Sequence, residues 1–408
     1  MEKILRRAIN PLRILINDSR FTGIMLIVCT VTSIILTNYS GTAALYKGIW
    51  SIKLFPSSFP VPDTFISWIN NYLMAFFFMM AGMEIKRELV SGELSSFKKA
   101  VLPFGAALGG MIVPALIFTF FNLHTHYIKG WGIPTATDIA FSVGIASILG
   151  KRVPVGLKIL LMALAIIDDL GAIIVIAVFY GGHINWIFLA MAAVLYAVLF
   201  LFNFFKITSK IAWVVVSVCL WITLYNSGVE ASIAGVLIAF AMPINMLPKF
   251  EFHIHQYVNF LILPLFALTN TSIVLPSDIL GSFGSTLSIG IIVGLVIGKP
   301  IGIFLFSRVL VWLKIATLPR NVNWQQLFGM GTLAGIGFTM SIFTTMLAFK
   351  QQAFQDIAKV SILFSVLLSL IFSLIYFLII SVNIKFEHSI EEKKESAATN
   401  TPLELNLN

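Results

Sequence analysis

The chain has 408 residues, of which 58% are hydrophobic and only 11% charged, with a formal net charge of +9. That composition excludes an ordinary soluble domain, and the repeated apolar runs of about 20 residues are long enough to cross a bilayer as helices. An outer-membrane barrel is excluded too, because its strands alternate in short segments instead of staying continuously apolar.

Residues 1–20 interleave bases with Ile4, Leu5, Ile9, Leu12, Leu15 and Ile16. This basic cytoplasmic segment either lies flat on the inner leaflet or only orients the first span. No small-residue cleavage site follows the first apolar run, Phe21 to Thr37, so it reads as a retained span. Twelve spans are expected near 21–38, 64–85, 99–121, 134–149, 154–180, 184–204, 210–225, 229–246, 256–275, 286–312, 325–348 and 357–382. Residues 21–384 thus form one all-α polytopic membrane domain. Between the first two spans, Trp50-Ser-Ile-Lys-Leu54 alternates as a short extracellular strand would. From 385 to 408 the chain is polar, with Glu391-Glu-Lys-Lys-Glu395, and reads as a disordered cytoplasmic tail. Cys29 and Cys219 fall inside apolar runs and read as packing residues.

Twelve crossings put both termini on one side of the membrane. Twenty of the 27 Lys and Arg residues fall on that side, and five, Lys47, Lys53, Lys129, Lys350 and Lys359, fall on the other. The bias places both termini in the cytoplasm. It also accounts for the net charge without a nucleic-acid partner. Two bases remain within spans. Lys158 is near enough to a span start to snorkel, whereas Lys299 has no such escape.

The fifth span carries Asp168 and Asp169 side by side. A charge near the bilayer centre costs about 2.5–3.5 kcal/mol on insertion scales, so an intramembrane pair reads as a functional site by default. The alternative is a structural pair held by a buried base or by helix ends. Adjacent positions lie about 100° apart around a helix. One carboxylate can therefore face an ion while the other faces Lys299.

Spans 4 and 11 are rich in small and hydroxyl residues: Thr135-Ala-Thr137-Asp138-Ile-Ala-Phe-Ser142 and Thr332-Leu-Ala-Gly335-Ile-Gly337-Phe-Thr-Met-Ser341. They share Thr, Ile and Phe in register, and the preceding Pro114-Ala-Leu-Ile-Phe118 echoes Pro300-Ile-Gly-Ile-Phe304. The two enter the membrane from opposite sides, so spans 3–5 and 10–12 read as inverted-topology repeats and spans 4 and 11 as interrupted helices. Asp138 then compensates positive helix N-termini, and Lys299 negative C-termini.

At these residues the sequence resembles the NhaA family of sodium/proton antiporters, over nearly the whole chain. The matching stretches are Phe78-Met-Met-Ala-Gly82-Met-Glu84-Ile-Lys-Arg-Glu88-Leu, Pro134-Thr-Ala-Thr137-Asp138-Ile-Ala-Phe, Ala165-Ile-Ile-Asp168-Asp169-Leu-Gly-Ala, Leu261-Ile-Leu-Pro-Leu-Phe-Ala267, Gly298-Lys299-Pro-Ile-Gly302 and Leu333-Ala-Gly-Ile-Gly-Phe-Thr-Met-Ser-Ile-Phe343. That family is a known example of inverted repeats, so the repeat reading and the resemblance are one expectation rather than two. The resemblance implies a bacterial inner-membrane protein, a homodimer helped by the strand near Trp50, and sodium or lithium as the transported ion with no resident cofactor. It implies Asp169 as the main cation-binding carboxylate and Asp168 as its neighbour, paired with Lys299 in one state. Thr137 and Asp138 would lie at the helix crossing, with Asp169, Asp168 and Thr137 as the cation's ligands. Glu84, Glu88 and Glu251 match positions associated with pH response. Two residues depart from the pattern: Asn71 stands where members commonly carry Asp, and Glu230 where some have His.

Hard cations prefer oxygen ligands, and a proton competes for the same carboxylate oxygen. Exchange follows from that competition, and more than one titrating group would make it electrogenic. His253 and His255 join the three glutamates at the cytoplasmic ends as a pH-sensing cluster, or all five are merely solvated charges at the interface. Three other classes compete. A sodium-coupled symporter on a related fold needs a polar pocket that the spans scarcely offer. An intramembrane aspartyl protease needs carboxylates converging from separate segments. A channel has no use for carboxylates and a lysine that exchange partners.

Overall fold

The computed structural model describes residues 19–399 apart from 57, 208, 276–280, 282, 320 and 321. The basic segment expected at 1–20 lies almost wholly outside the described residues, as does the end of the tail from 400. The described chain is helical, in the order α1 Ser19–Asn38, α2 Ala43–Trp50, α3 Phe65–Ser91, α4 Phe97–Asn122, α5 Ile139–Ile148, α6 Val155–Phe179 and α7 Trp186–Phe204. There follow α8 Lys210–Ser227, α9 Ile233–Ala241, α10 Ile244–Asn270, α11 Thr286–Trp312, α12 Trp324–Ala334, α13 Phe338–Ala348 and α14 Gln352–Thr399.

Among the described residues nine helices are long and apolar enough to cross a membrane, or ten if α12 and α13, bent by 49° at their break, count as one. The bundle is a polytopic helical membrane protein. Its outer surface exposes large apolar side chains such as Ile211 and Phe120, the reverse of a water-soluble surface. Local chemistry sets several helix ends. Asn323 and Gln326 form a reciprocal capping box at the start of α12, and Gly228, at φ +86°, ends α8 in the left-handed region.

Two π-turns have a covalent cause. Val258–Ile262 precedes Pro264, and Gly294–Gly298 precedes Pro300. Proline has no N–H to give the preceding turn, and the chain absorbs the missing bond by widening. A third π-turn, Ile69–Leu73, leaves the Asn71 carbonyl free to accept from Trp221 Nε1 at 3.3 Å.

Helices α4 and α11 cross with their backbones in contact. A Cβ on Gly109 would run into the Gly302 carbonyl oxygen, and one on Gly302 into that of Gly109. Glycine at both positions is what lets the backbones touch.

One expectation is corrected. Trp50 closes α2, and no strand forms there: Lys53 makes one isolated antiparallel bridge with Thr64, flanked by Leu54 N–H to Asp63 O and Phe65 N–H to Ile52 O. Pro56, Pro60 and Pro62 supply no donors, so the pairing cannot extend. The polar stretch from 385 continues the backbone of α14 as far as Thr399.

Candidate functional site

The site forms where a stretch of extended backbone passes the break between two helices. Ala136 to Asp138 leave the helical region just before α5, and Gly335 to Gly337 separate α12 from α13. Asp138 N–H donates to Ile336 O at 2.8 Å. A Cβ at Gly337 would sit 2.7 Å from the Ala136 carbonyl oxygen, so the crossing needs glycine there.

Asp138 is the N-cap of α5, its Oδ1 accepting from Phe141 N–H at 3.0 Å. Helix α13 begins on Gly337 and has no capping side chain of its own. Asp138 provides one: its Oδ2 accepts from Thr339 N–H at 3.1 Å and from the Thr339 hydroxyl at 2.7 Å. One carboxylate thus meets the positive ends of two helices.

Lys299 lies directly after the π-turn of α11 and is fully buried. Its ammonium donates to Thr135 O at 2.7 Å, the last carbonyl of a 3₁₀ segment, and pairs with Asp168 Oδ2 at 2.9 Å. Thr137 Oγ1 lies 2.7 Å from the same Asp168 oxygen and 2.9 Å from Ala334 O, with one proton to donate. A buried ammonium is thereby compensated by a carboxylate and a carbonyl, which is the condition for keeping such a pair in a low-dielectric interior.

Asp169 faces elsewhere. It is 3% exposed, its Oδ1 has no hydrogen-bond partner among the described residues, and it lines a cavity of about 230 Å³ that Asp168 and Lys299 do not line. Thr137, Asp138, Thr339, Glu84 and Asn259 line the same cavity, and the exposed His255 marks its mouth. The buried rings of Phe78, Phe343 and Phe266 pack at tilted angles, 5.4 and 6.4 Å between centroids. Asn70 and Asn270 exchange side-chain amide hydrogen bonds at 2.8 and 3.2 Å.

Near the mouth, Glu84, Glu88 and Glu251 converge on Arg87, at 3.9 and 3.5 Å for the first two and in direct contact for Glu251. His255 contacts Asn259 at 3.1 Å. His253 stands apart, exposed, with Nδ1 against Lys249 O at 2.7 Å. Asn71 donates its amide to Ser67 O at 2.9 Å, a bond an ionised aspartate could not make. Glu230 accepts from the Ser232 hydroxyl at 3.3 Å.

A family model described as Na+/H+ antiporter 1 matches residues 13–385. The chain belongs to this antiporter family. It is 45% identical over 356 residues to the Na(+)/H(+) antiporter NhaA of Cytophaga hutchinsonii, covering 86% of this chain and 90% of that protein. It is 43% identical over 376 residues to Na(+)/H(+) antiporter NhaA 2 of Clostridium beijerinckii, covering 89% and 93%. To the NhaA of Pectobacterium atrosepticum it is 45% identical over 337 residues, covering 80% and 86%.

In this member of the antiporter family, Thr137, Asp138, Asp168, Asp169 and Lys299 come together at one crossing. Glu84 and His255 reach the same cavity, Glu88 and Glu251 meet Arg87, and His253 reaches neither. Sequence reasoning did not single out Thr339, Arg87 and Asn259 as site residues. Thr339 had a signal, a hydroxyl two positions after the Gly337 that opens a helix. Arg87 had one too, three residues after Glu84 on the same helix face.

Proposed function

We propose that the chain exchanges sodium or lithium for protons across the bacterial inner membrane, with Asp169 as the carboxylate for which cation and proton compete. The observation that carries this reading is a buried Asp169 oxygen with no hydrogen-bond partner among the described residues, on a residue that lines the cavity. Sodium is a hard cation, and the oxygens of Asp169 and Thr137 are suited to it. Asp168 holds Lys299 while Asp169 carries either a proton or the ion. When Asp168 turns to the ion, Lys299 loses its counter-charge and sheds a proton, so more than one proton leaves per cation and exchange is electrogenic.

The architecture that supports alternating access has twelve crossings, with α5, α9 and the bent pair α12–α13 completing the set beside the nine long helices. Spans 3–5 and 10–12 are inverted repeats meeting at the Asp138–Ile336 crossing. Both termini are cytoplasmic, which puts the cavity mouth on the cytoplasmic side, and the protein works as a homodimer. Glu84, Glu88, Glu251 and His255 make the pH-responsive entrance.

The test is proton flux in everted or reconstituted vesicles loaded with a pH-sensitive dye. Sodium or lithium should release the proton gradient in the native protein and fail to do so in Asp169→Asn. Full activity in that variant would overturn the site assignment. A transport rate indifferent to membrane voltage would overturn electrogenicity.

A further inference from the structure

A second cavity, of about 300 Å³, lies where α4 and α6 begin and shares no lining residue with the cavity that holds Asp169. Its walls carry two kinds of chemistry. Leu102, Pro103, Ile159, Leu160 and Ala163 of the two helices and Thr317, Leu318 and Pro319 of the segment before α12 line an apolar cleft, with the exposed Lys98, Lys99 and Glu93 at its rim. Lys99 pairs with Glu93 at 3.4 Å, which leaves one carboxylate against two ammoniums.

Both lysines stand in the first turn of α4, a 26-residue helix with no acidic residue in that turn and no side-chain hydrogen bond from its N-cap, Ser96. This is the positive end of the helix dipole, where cations are disfavoured and anions stabilised. Two ammoniums held there repel the helix end and each other unless an anion joins them. The surroundings say which anion. Phe97 is 81% and Val155 72% exposed, so the first turns of both helices present apolar surface to lipid at the level of the ammoniums. A basic pocket between membrane helices at this level matches a phospholipid headgroup.

We infer that this cleft is a binding site for an anionic phospholipid. The phosphate meets Lys98, Lys99 and the open N–H groups at the start of α4, and an acyl chain lies along the exposed Val155 and Ile159 at the lip of the cleft. The lipid spans α4 and α6, and Ala163 at its inner end is on the helix that carries Asp168 and Asp169. Occupancy therefore braces the ion-binding helix from the outside. The inference rests on the membrane reading above but not on the ion chemistry.

The test uses the purified full chain, stripped of lipid in detergent and titrated with phosphatidylglycerol, with phosphatidylcholine of the same chains, and with inorganic phosphate. Bound lipid is counted by native mass spectrometry, and the melting temperature is followed in parallel. Phosphatidylglycerol should bind and raise the melting temperature where phosphatidylcholine does not. K98Q/K99Q should weaken its binding by roughly five-fold per lysine, and Glu93→Gln should tighten it. K206Q/K210Q, which removes equal charge elsewhere, should change nothing. Equal retention by K98Q/K99Q and the native chain, or an equal loss in K206Q/K210Q, would overturn the site. Stabilisation by inorganic phosphate at the same concentration would overturn its assignment to lipid. Failure of sodium-dependent proton flux with lipid binding intact would strike the proposed function and leave this site standing.

Discussion

Asp138 and Thr339 meet across 201 residues of chain, the threonine giving both its N–H and its hydroxyl to one carboxylate oxygen. The contact ties the start of α13 to the start of α5. A single side chain thus holds together two helices whose exposed N-termini would otherwise face each other in an apolar interior.

Removing that side chain leaves three donors unsatisfied: Phe141 N–H, Thr339 N–H and the Thr339 hydroxyl. Each buried orphan costs about 1–3 kcal/mol, and a hydrogen bond to a charged group contributes roughly 1.5–3 kcal/mol. Asp138→Ala should therefore melt well below the native protein in detergent. Thr339→Val, which loses the hydroxyl bond but keeps its N–H on the carboxylate, should fall between them. A Thr339→Val protein melting with the native one would show that the cap carries no stability.

The Lys299–Asp168 pair is fully buried on both sides. Breaking such a pair by removing one partner costs about 3–5 kcal/mol, because the other is left as an uncompensated charge, whereas removing both is often near neutral. Lys299→Met should be strongly destabilised, and D168N/K299M should recover most of the lost melting temperature without recovering exchange. If the double variant is no more stable than Lys299→Met, the two side chains are not energetically coupled.

Asp169 presents the opposite case. Its Oδ1 is buried and unpartnered among the described residues, so the ionised side chain is a liability to the fold. Asp169→Asn should lose sodium-dependent proton flux while melting at or above the native temperature. Such a trade between activity and stability is expected of a binding carboxylate held unsatisfied for its ligand. A variant that is both inactive and markedly less stable would point to a structural carboxylate instead.

Much of this site is legible in the sequence because lipid makes charge conspicuous. Asp168, Asp169 and Lys299 stand out in apolar runs, and the Gly- and Thr-rich stretches mark where backbone leaves the helix. The 100° between adjacent positions separates the two aspartates correctly, one toward Lys299 and one toward the cavity. What does not show is partnership across the chain. Nothing near Asp138 signals that its second oxygen caps a helix 200 residues away, and nothing near Arg87 identifies Glu251. The alternation after Trp50 misleads for a related reason: a strand needs a partner with free donors, and the returning segment is proline-rich.

The last prediction concerns Arg87, which touches Glu84, Glu88 and Glu251 at once. A neighbouring cation favours the deprotonated form of a carboxylate. Without the guanidinium, the three carboxylates face one another with no counter-charge between them. If this cluster gates the cavity entrance, Arg87→Gln should move the pH of half-maximal exchange upward, with little change in the maximal rate. Arg87→Lys should rescue only partly, because an ammonium restores the charge but not the planar fork that reaches several carboxylates together. The measurement is proton flux against pH at saturating sodium for the three proteins. A uniform fall in rate at every pH, with the curve unmoved, would mean that Arg87 only packs the entrance and that pH is sensed elsewhere.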